Sequence, residues 1–169
     1  MITVYLGLGT NLGDRLGNLQ RAADALAPAV TVLACSPVYE TAPLYVTAQP
    51  AFLNMALQGA TELPPAALLK ALKALEAAMG RAKSERNGPR LIDLDILFYG
   101  SQVVAEDDLV IPHPAMAERH FVMIPLADIA ADLVHPVSGR KVAELHAALP
   151  PTADVRLFAP PIRRPAAAI

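Results

Sequence analysis

The sequence has a single cysteine, Cys35, which excludes an intrachain disulfide and a thiolate zinc cluster. A reducing cytoplasm is the simplest setting for such a chain. It also lacks a basic excess: 14 Lys and Arg against 16 Asp and Glu leave a net charge of −2 and a pI near 6.1. That removes the electrostatic footprint of a nucleic-acid binder, so any bound anion must be met by basic residues placed locally. No run approaches the ~18 uninterrupted apolar residues of a membrane span, and "MITVYLGLGTNLGDR" has no basic n-region followed by an apolar h-region, so neither membrane insertion nor export is expected. The four histidines, His113, His120, His135 and His146, lack the spacing of a zinc site. There is no internal repeat.

Nucleotide motifs are missing as well. "GLGTNLGD" runs G-x-G-x-x-x-G, with Leu12 where a dinucleotide fingerprint needs its third glycine, and no G-K-[ST] closes a P-loop. Gly7 and Gly13 therefore read as parts of a tight strand-to-helix turn.

What is present is a core. Apolar residues make up 54% of the 169 residues and charged residues 18%, enough for one compact domain and too apolar for disorder. Ile2 to Leu8 alternates as a strand, and Leu16, Leu19, Ala23 and Leu26 have helical spacing. Val30 to Glu40 reads as a second strand, "TAPLYVTAQP" as a loop, and "AFLNMALQGAT" as a third strand. There Leu53, Met55 and Leu57 face the core, while Phe52, Asn54, Ala56 and Gln58 face something open. "LPPAALLKALKALEAAMG" is a helix with prolines at its start and Gly80 at its stop. "RAKSERNGPR" is a basic loop, and Leu91 to Tyr99 a further strand followed by a short one near Gln102 to Ala105. This order suits an α+β, ferredoxin-like two-layer sandwich, mainly antiparallel, with helices on one side of the sheet. Residues 1–149 form the expected domain. Residues 150–169, rich in proline, read as a loosely held extension.

The chemistry concentrates in "RNGPRLIDLDILFYG". Period two puts Ile92, Leu94, Ile96 and Phe98 on a core face and Asp93 with Asp95 on the other, about 7 Å apart along the strand. Two carboxylates on one strand face suit Mg²⁺, which takes few protein oxygens and shares phosphate oxygens. They could equally pair with Arg81, Arg86 or Arg90 in a structural network. Arg81, Lys83, Arg86 and Arg90 together carry more positive charge than two aspartates need, and such a cluster beside a metal is what a polyphosphate requires. Phe52 and Asn54 offer a stacking face and an amide to a flat heterocycle. His113, between two prolines, suits a positioned polar side chain, and Cys35 reads as a small core residue.

These segments together resemble the 6-hydroxymethyl-7,8-dihydropterin pyrophosphokinase family. "RNGPRLIDLDIL" is similar to its signature, and "YLGLGTNLGDR", "YETAPL", "FLNMAL", "LEAAMGR" and "IPHPAMAERHFVMIPL" follow in the family's order, covering roughly residues 1 to 149. The resemblance implies an enzyme of folate biosynthesis that moves pyrophosphate from ATP to a pterin alcohol. It implies two Mg²⁺ ions held by Asp93 and Asp95, with Arg81 and Arg90 on the transferring phosphates and Lys83, His113 and Arg119 on the phosphate side. Glu76 is implied near the nucleotide. For the pterin it implies Phe52 and Phe121 sandwiching the ring, Asn54 reading its amide edge, and Gly9, Thr41, Pro43 and Leu44 completing the pocket. The loop from Arg81 to Gly88 is shorter by a residue than the family pattern, with Asn87 where some members carry tryptophan. A monomer is expected. The alternatives are a catalytically silent nucleotide-binding module on the same scaffold and a two-metal hydrolase. The first gives no reason for surplus arginines beside paired aspartates. The second needs more carboxylates and a water-orienting base.

Overall fold

The computed structural model describes residues 1–43, 48–80 and 90–166. Strict alternation builds β1 (Ile2–Thr10), which buries Val4, Leu6 and Leu8 on one face. Asp14 then starts α1 (Arg15–Ala25) by accepting the Gly17 N–H at 3.1 Å. Of the two glycines expected in the turn, Gly13 lies there with φ of 67°, a conformation costly to other residues. Gly7 is instead paired inside β1.

The strand expected from Val30 to Glu40 is two strands, β2 (Thr31–Cys35) and β3 (Val38–Thr41). Pro37 brings no N–H to a ladder, so the strand breaks before it. Ser36 fills the gap: its N–H donates to the Ala56 carbonyl and its hydroxyl accepts the Ala56 N–H, both at 2.9 Å. β4 (Phe52–Thr61) leads to α2 (Pro65–Ala78), which opens on a proline and ends before Gly80. β5 (Asp93–Tyr99), the hairpin of β6 (Val104–Glu106) and β7 (Leu109–Ile111), α3 (His120–Ala130), α4 (Val142–Ala147) and β8 (Val155–Ala159) follow. The main sheet is antiparallel in the order β5-β1-β4-β3-β8, with β2 also on β4. The α+β, ferredoxin-like reading holds.

Helices, however, lie on both faces. α1 and α2 bury Leu19, Leu26, Leu68 and Leu72 against Leu6, Leu53, Leu57 and Leu94. α3 and α4 bury Met123, Leu126, Val142 and Leu145 against Tyr5, Ala56, Leu97 and Phe98. Ala56 is therefore buried against this second layer while also lining the cavity described below. Truncating a fully buried leucine here would cost about 2–5 kcal/mol.

Phe98 is on the second face, not the one shared by Ile92, Leu94 and Ile96. The β1–β5 register pairs Leu6 with Ile96 but Tyr5 with Phe98, leaving Leu97 as an unpaired bulge. The extra residue keeps Phe98 on the side of Asp95, where its ring meets Tyr5 edge-on at 6.2 Å. The C-terminal segment is not loose either: β8 adds to β3, with Thr41 opposite Val155 and Glu40 opposite Arg156. Among the described residues, no helix is long and apolar enough to cross a membrane.

Candidate active site

Beside α3, on the second face of the sheet, lies a cavity of about 160 Å³. Its floor is β1, where glycine at positions 7 and 9 leaves the strand bare. Gly7 stands opposite Asp95 on one side and Ala56 on the other; Gly9 stands opposite Asp93 and Asn54. A Cβ on Gly9 would come within 2.8 Å of the Asn54 Oδ1, so the close approach of this amide depends on glycine. The Asn54 Nδ2 donates to the Thr41 hydroxyl at 2.9 Å, which fixes the amide with its oxygen over the floor.

One end of the cavity is aromatic and neutral, lined by Phe52, Asn54, Thr41 and Phe121; the other is ionic, lined by Asp93, Asp95, Arg90 and Arg119. The Arg119 guanidinium also lies 5.6 Å from the centre of the Phe121 ring, joining the two ends. Burial, followed by the charge of Asp93, pushes the Asp95 carboxyl up to about 7; Glu76 adds to the rise, while Lys73 and Arg119 oppose it. Burial and the Arg119 charge hold His113 below the usual histidine range, against the pull of Asp93. The His113 backbone N–H donates to the carbonyl of the bulged Leu97 at 3.2 Å, and its ring Nδ1 accepts the Ala115 N–H at 3.4 Å. When neutral, the ring therefore carries its proton on Nε2.

Asn11, buried just beyond the floor, fastens two segments at the cavity rim. Its Nδ2 donates to the Gln49 side chain and the Pro50 carbonyl, both at 2.9 Å, and its Oδ1 accepts the Arg90 N–H at 2.7 Å. Its own N–H donates to the Arg90 carbonyl at 2.9 Å.

The structure thus brings together Gly9, Thr41, Phe52, Asn54, Arg90, Asp93, Asp95, Arg119 and Phe121, with His113 within electrostatic reach. Pro43 does not line the cavity; Ala42 does. Glu76 is 2% exposed on α2 and accepts the Leu94 N–H at 2.8 Å, between the two aspartates, with Lys73 at 3.5 Å. Its place is against the outer edge of β5, and it does not line the cavity. Arg81, Lys83 and Leu44, as well as Arg86 and Asn87, lie outside the described residues. Sequence reading missed Gln49, Leu97 and Val122 as lining residues. Gln49 sits in a loop without periodicity, and Leu97 is displaced by the bulge.

A model of the 7,8-dihydro-6-hydroxymethylpterin-pyrophosphokinase family matches residues 5–131. The chain belongs to this family of pterin pyrophosphokinases. It is 44% identical over 159 residues to the 2-amino-4-hydroxy-6-hydroxymethyldihydropteridine pyrophosphokinase of Methylorubrum extorquens, covering 93% of this chain and 99% of that protein. It is 40% identical over 158 residues to the folic acid synthesis protein FOL1 of Dictyostelium discoideum, covering 94% of this chain and 24% of that protein. A 45% identity over 141 residues links it to the folic acid synthesis protein fol1 of Pneumocystis carinii, covering 83% of this chain and 19% of that protein. The chain thus spans about a quarter or less of the length of those two relatives. The crystal structure of Plasmodium falciparum HPPK-DHPS superposes with a TM-score of 0.70 at 16% identity, over 86% of this chain and 44% of that chain, a likeness of fold.

Proposed function

We propose that the chain transfers pyrophosphate from MgATP to 6-hydroxymethyl-7,8-dihydropterin, giving AMP and the pterin diphosphate in folate biosynthesis. The carrying observation is one cavity with a stacking, amide-bearing end and an ionic end, joined across a glycine floor. Phe52 and Phe121 stack on the ring, and the fixed Asn54 amide accepts from its edge. Arg90 and Arg119 neutralise phosphate charge, together with Arg81 and Lys83 if these act as the family resemblance implies. His113 offers its Nε2–H to a phosphate oxygen.

The donor set fits a magnesium ion. Burial, followed by the charge of Asp93, holds Asp95 partly protonated near neutrality, a state a divalent cation relieves. Among the described residues no three His, Cys, Asp or Glu cluster, so the two carboxylates suit an ion that completes its shell with phosphate and water. Bound there, Mg²⁺ would supply charge neutralisation at the phosphates. The pterin hydroxymethyl oxygen attacks the β-phosphorus in line as the bond to the oxygen bridging the α- and β-phosphorus breaks. AMP leaves with that bond's electrons, and the hydroxyl proton goes to solvent. The residues act by positioning and by dry electrostatics, and no covalent intermediate is needed. The same reading has the chain work as a monomer, and in the cytoplasm, a setting its lone cysteine suits.

Incubation with MgATP and the pterin alcohol should give AMP and pterin diphosphate in equal amounts. Free phosphate regardless of pterin would point to a hydrolase, and absence of turnover to a silent binding module; either result refutes the proposal.

A further inference from the structure

The family match ends at residue 131, yet β8, well beyond it, stands behind the wall of the cavity. That wall is Thr41 and Ala42. Thr41 holds the Asn54 amide, so its position sets the amide's orientation. β3 has four residues and meets β4 through three register pairs only, Tyr39 with Asn54, Glu40 with Leu53 and Thr41 with Phe52. Left as an edge, so short a strand would fray at low cost, taking Thr41 with it. β8 makes it internal. It pairs along the whole of β3, and the Asp154 carbonyl extends the ladder by accepting the Ala42 N–H at 3.1 Å.

A clasp on the opposite face secures this pairing. The β3–β8 register slips between Val38 and Tyr39, so that Phe158 is an unpaired residue between Leu157 and Ala159. Its ring lies 5.3 Å from the Arg15 guanidinium. Arg15 Nη1 meets Glu40 Oε2 and the Ala51 carbonyl, each at 2.9 Å, and Arg156 meets Glu40 Oε1 at 3.2 Å. One arginine therefore ties β8, β3 and the residue just before Phe52. Farther along, Arg163 exchanges two hydrogen bonds with the Gln20 side chain, at 2.9 and 3.0 Å, and Arg164 donates to the Leu33 carbonyl at 3.0 Å. The tail is held on α1 and β2 at its far end as well.

We propose that the C-terminal strand is a positioning element for the pterin-facing wall, with Phe158 and Arg15 as its clasp. The proposal rests on the pterin reading of the cavity. It separates the two ligands: the aspartates sit on β5, at the other edge of the sheet, so loosening β8 acts on the pterin end and spares the nucleotide end.

Two variants of the 169-residue chain test it, Phe158→Ala and Leu157→Pro. The second introduces a residue that cannot donate within a ladder, at a side chain that is 67% exposed. Both should weaken 6-hydroxymethylpterin, titrated by its fluorescence, by about tenfold while moving a Mg²⁺-bound non-hydrolysable ATP analogue by less than about twofold. Phe158→Tyr, which keeps the ring on Arg15, should stay near the native affinity. Amide exchange over residues 38–43 should quicken in both variants without any ligand, which reads the wall directly. Unchanged exchange there, unchanged pterin affinity in a folded Leu157→Pro chain, or equal loss of both ligands overturns the proposal. If the native chain binds no pterin, the functional reading fails by itself, and exchange still decides whether β8 braces the wall.

Discussion

Asp95→Asn should make the ligand-free protein more stable, and the gain should depend on pH. The native carboxyl is pushed from 3.8 up to about 7, first by burial and then by Asp93. Between about pH 4 and pH 7 the folded chain holds a proton that the unfolded chain has released. Stability therefore falls as pH rises through that window and stays at its lower level above it. A shift of this size corresponds to about 4 kcal/mol once the group is ionised in both states. Asparagine removes the charge but must place an amide in the same space, so a gain of about 2–4 kcal/mol near pH 8 is expected, shrinking to nothing near pH 4. For a chain of this length that raises the melting temperature by about 5–15 °C. Calorimetry or dichroism melts of both proteins across pH 4 to 8 measure it. A variant that melts lower than the native chain near pH 8 would refute the reasoning, because the carboxylate would then be a stabilising partner and not a strained one. Under the proposed function, Mg²⁺ with an ATP analogue should stabilise the native chain and leave Asp95→Asn unmoved.

Gly9→Ala places a methyl group 2.8 Å from the Asn54 Oδ1 and must turn the amide aside. Pterin affinity should drop by about tenfold or more, with a stability cost of only about 1–2 kcal/mol, since the flexible amide can yield. An unchanged pterin titration would show that the Asn54 orientation is not read. Glu76→Ala leaves the Leu94 N–H without its acceptor and should destabilise by about 1–3 kcal/mol, whereas Glu76→Gln keeps an acceptor and should be nearly neutral. Equal denaturant midpoints for the two variants would contradict that role.

The ladder and its faces were legible wherever every residue was paired. Val4, Leu6 and Leu8, or Leu53, Met55 and Leu57, follow period two because each has a partner across the sheet. The reading failed where that assumption fails. Leu97 is unpaired, so Phe98 changes sides; Ser36 and Pro37 interrupt a strand that hydropathy would carry through. The second helical layer was hidden because an alanine facing a helix and an alanine facing solvent look alike in sequence. The aspartate pair, Phe52 and Asn54 were recognisable as chemistry, since their polarity or shape conflicts with a plain core strand. The family resemblance implies a place for Glu76 near the nucleotide, but its position at the edge of β5 depends on how α2 docks, which no local pattern encodes. The tail reads as loose in sequence because its prolines flank a five-residue strand whose partner lies more than a hundred positions earlier.

The bulge at Leu97 has one more effect. Leu97 stands outside the β1–β5 pairing, and its carbonyl is taken from elsewhere. The His113 backbone N–H takes it, so a downstream loop is indexed to the very strand that carries the carboxylates. Removing Leu97 would leave a regular ladder with both faces in phase, but it would take a buried side chain from the second core, release the His113 backbone and deepen the floor beside Gly7. Shape of the site and placement of the loop that carries its histidine are thus set by one residue that the ladder leaves unpaired and the second core holds.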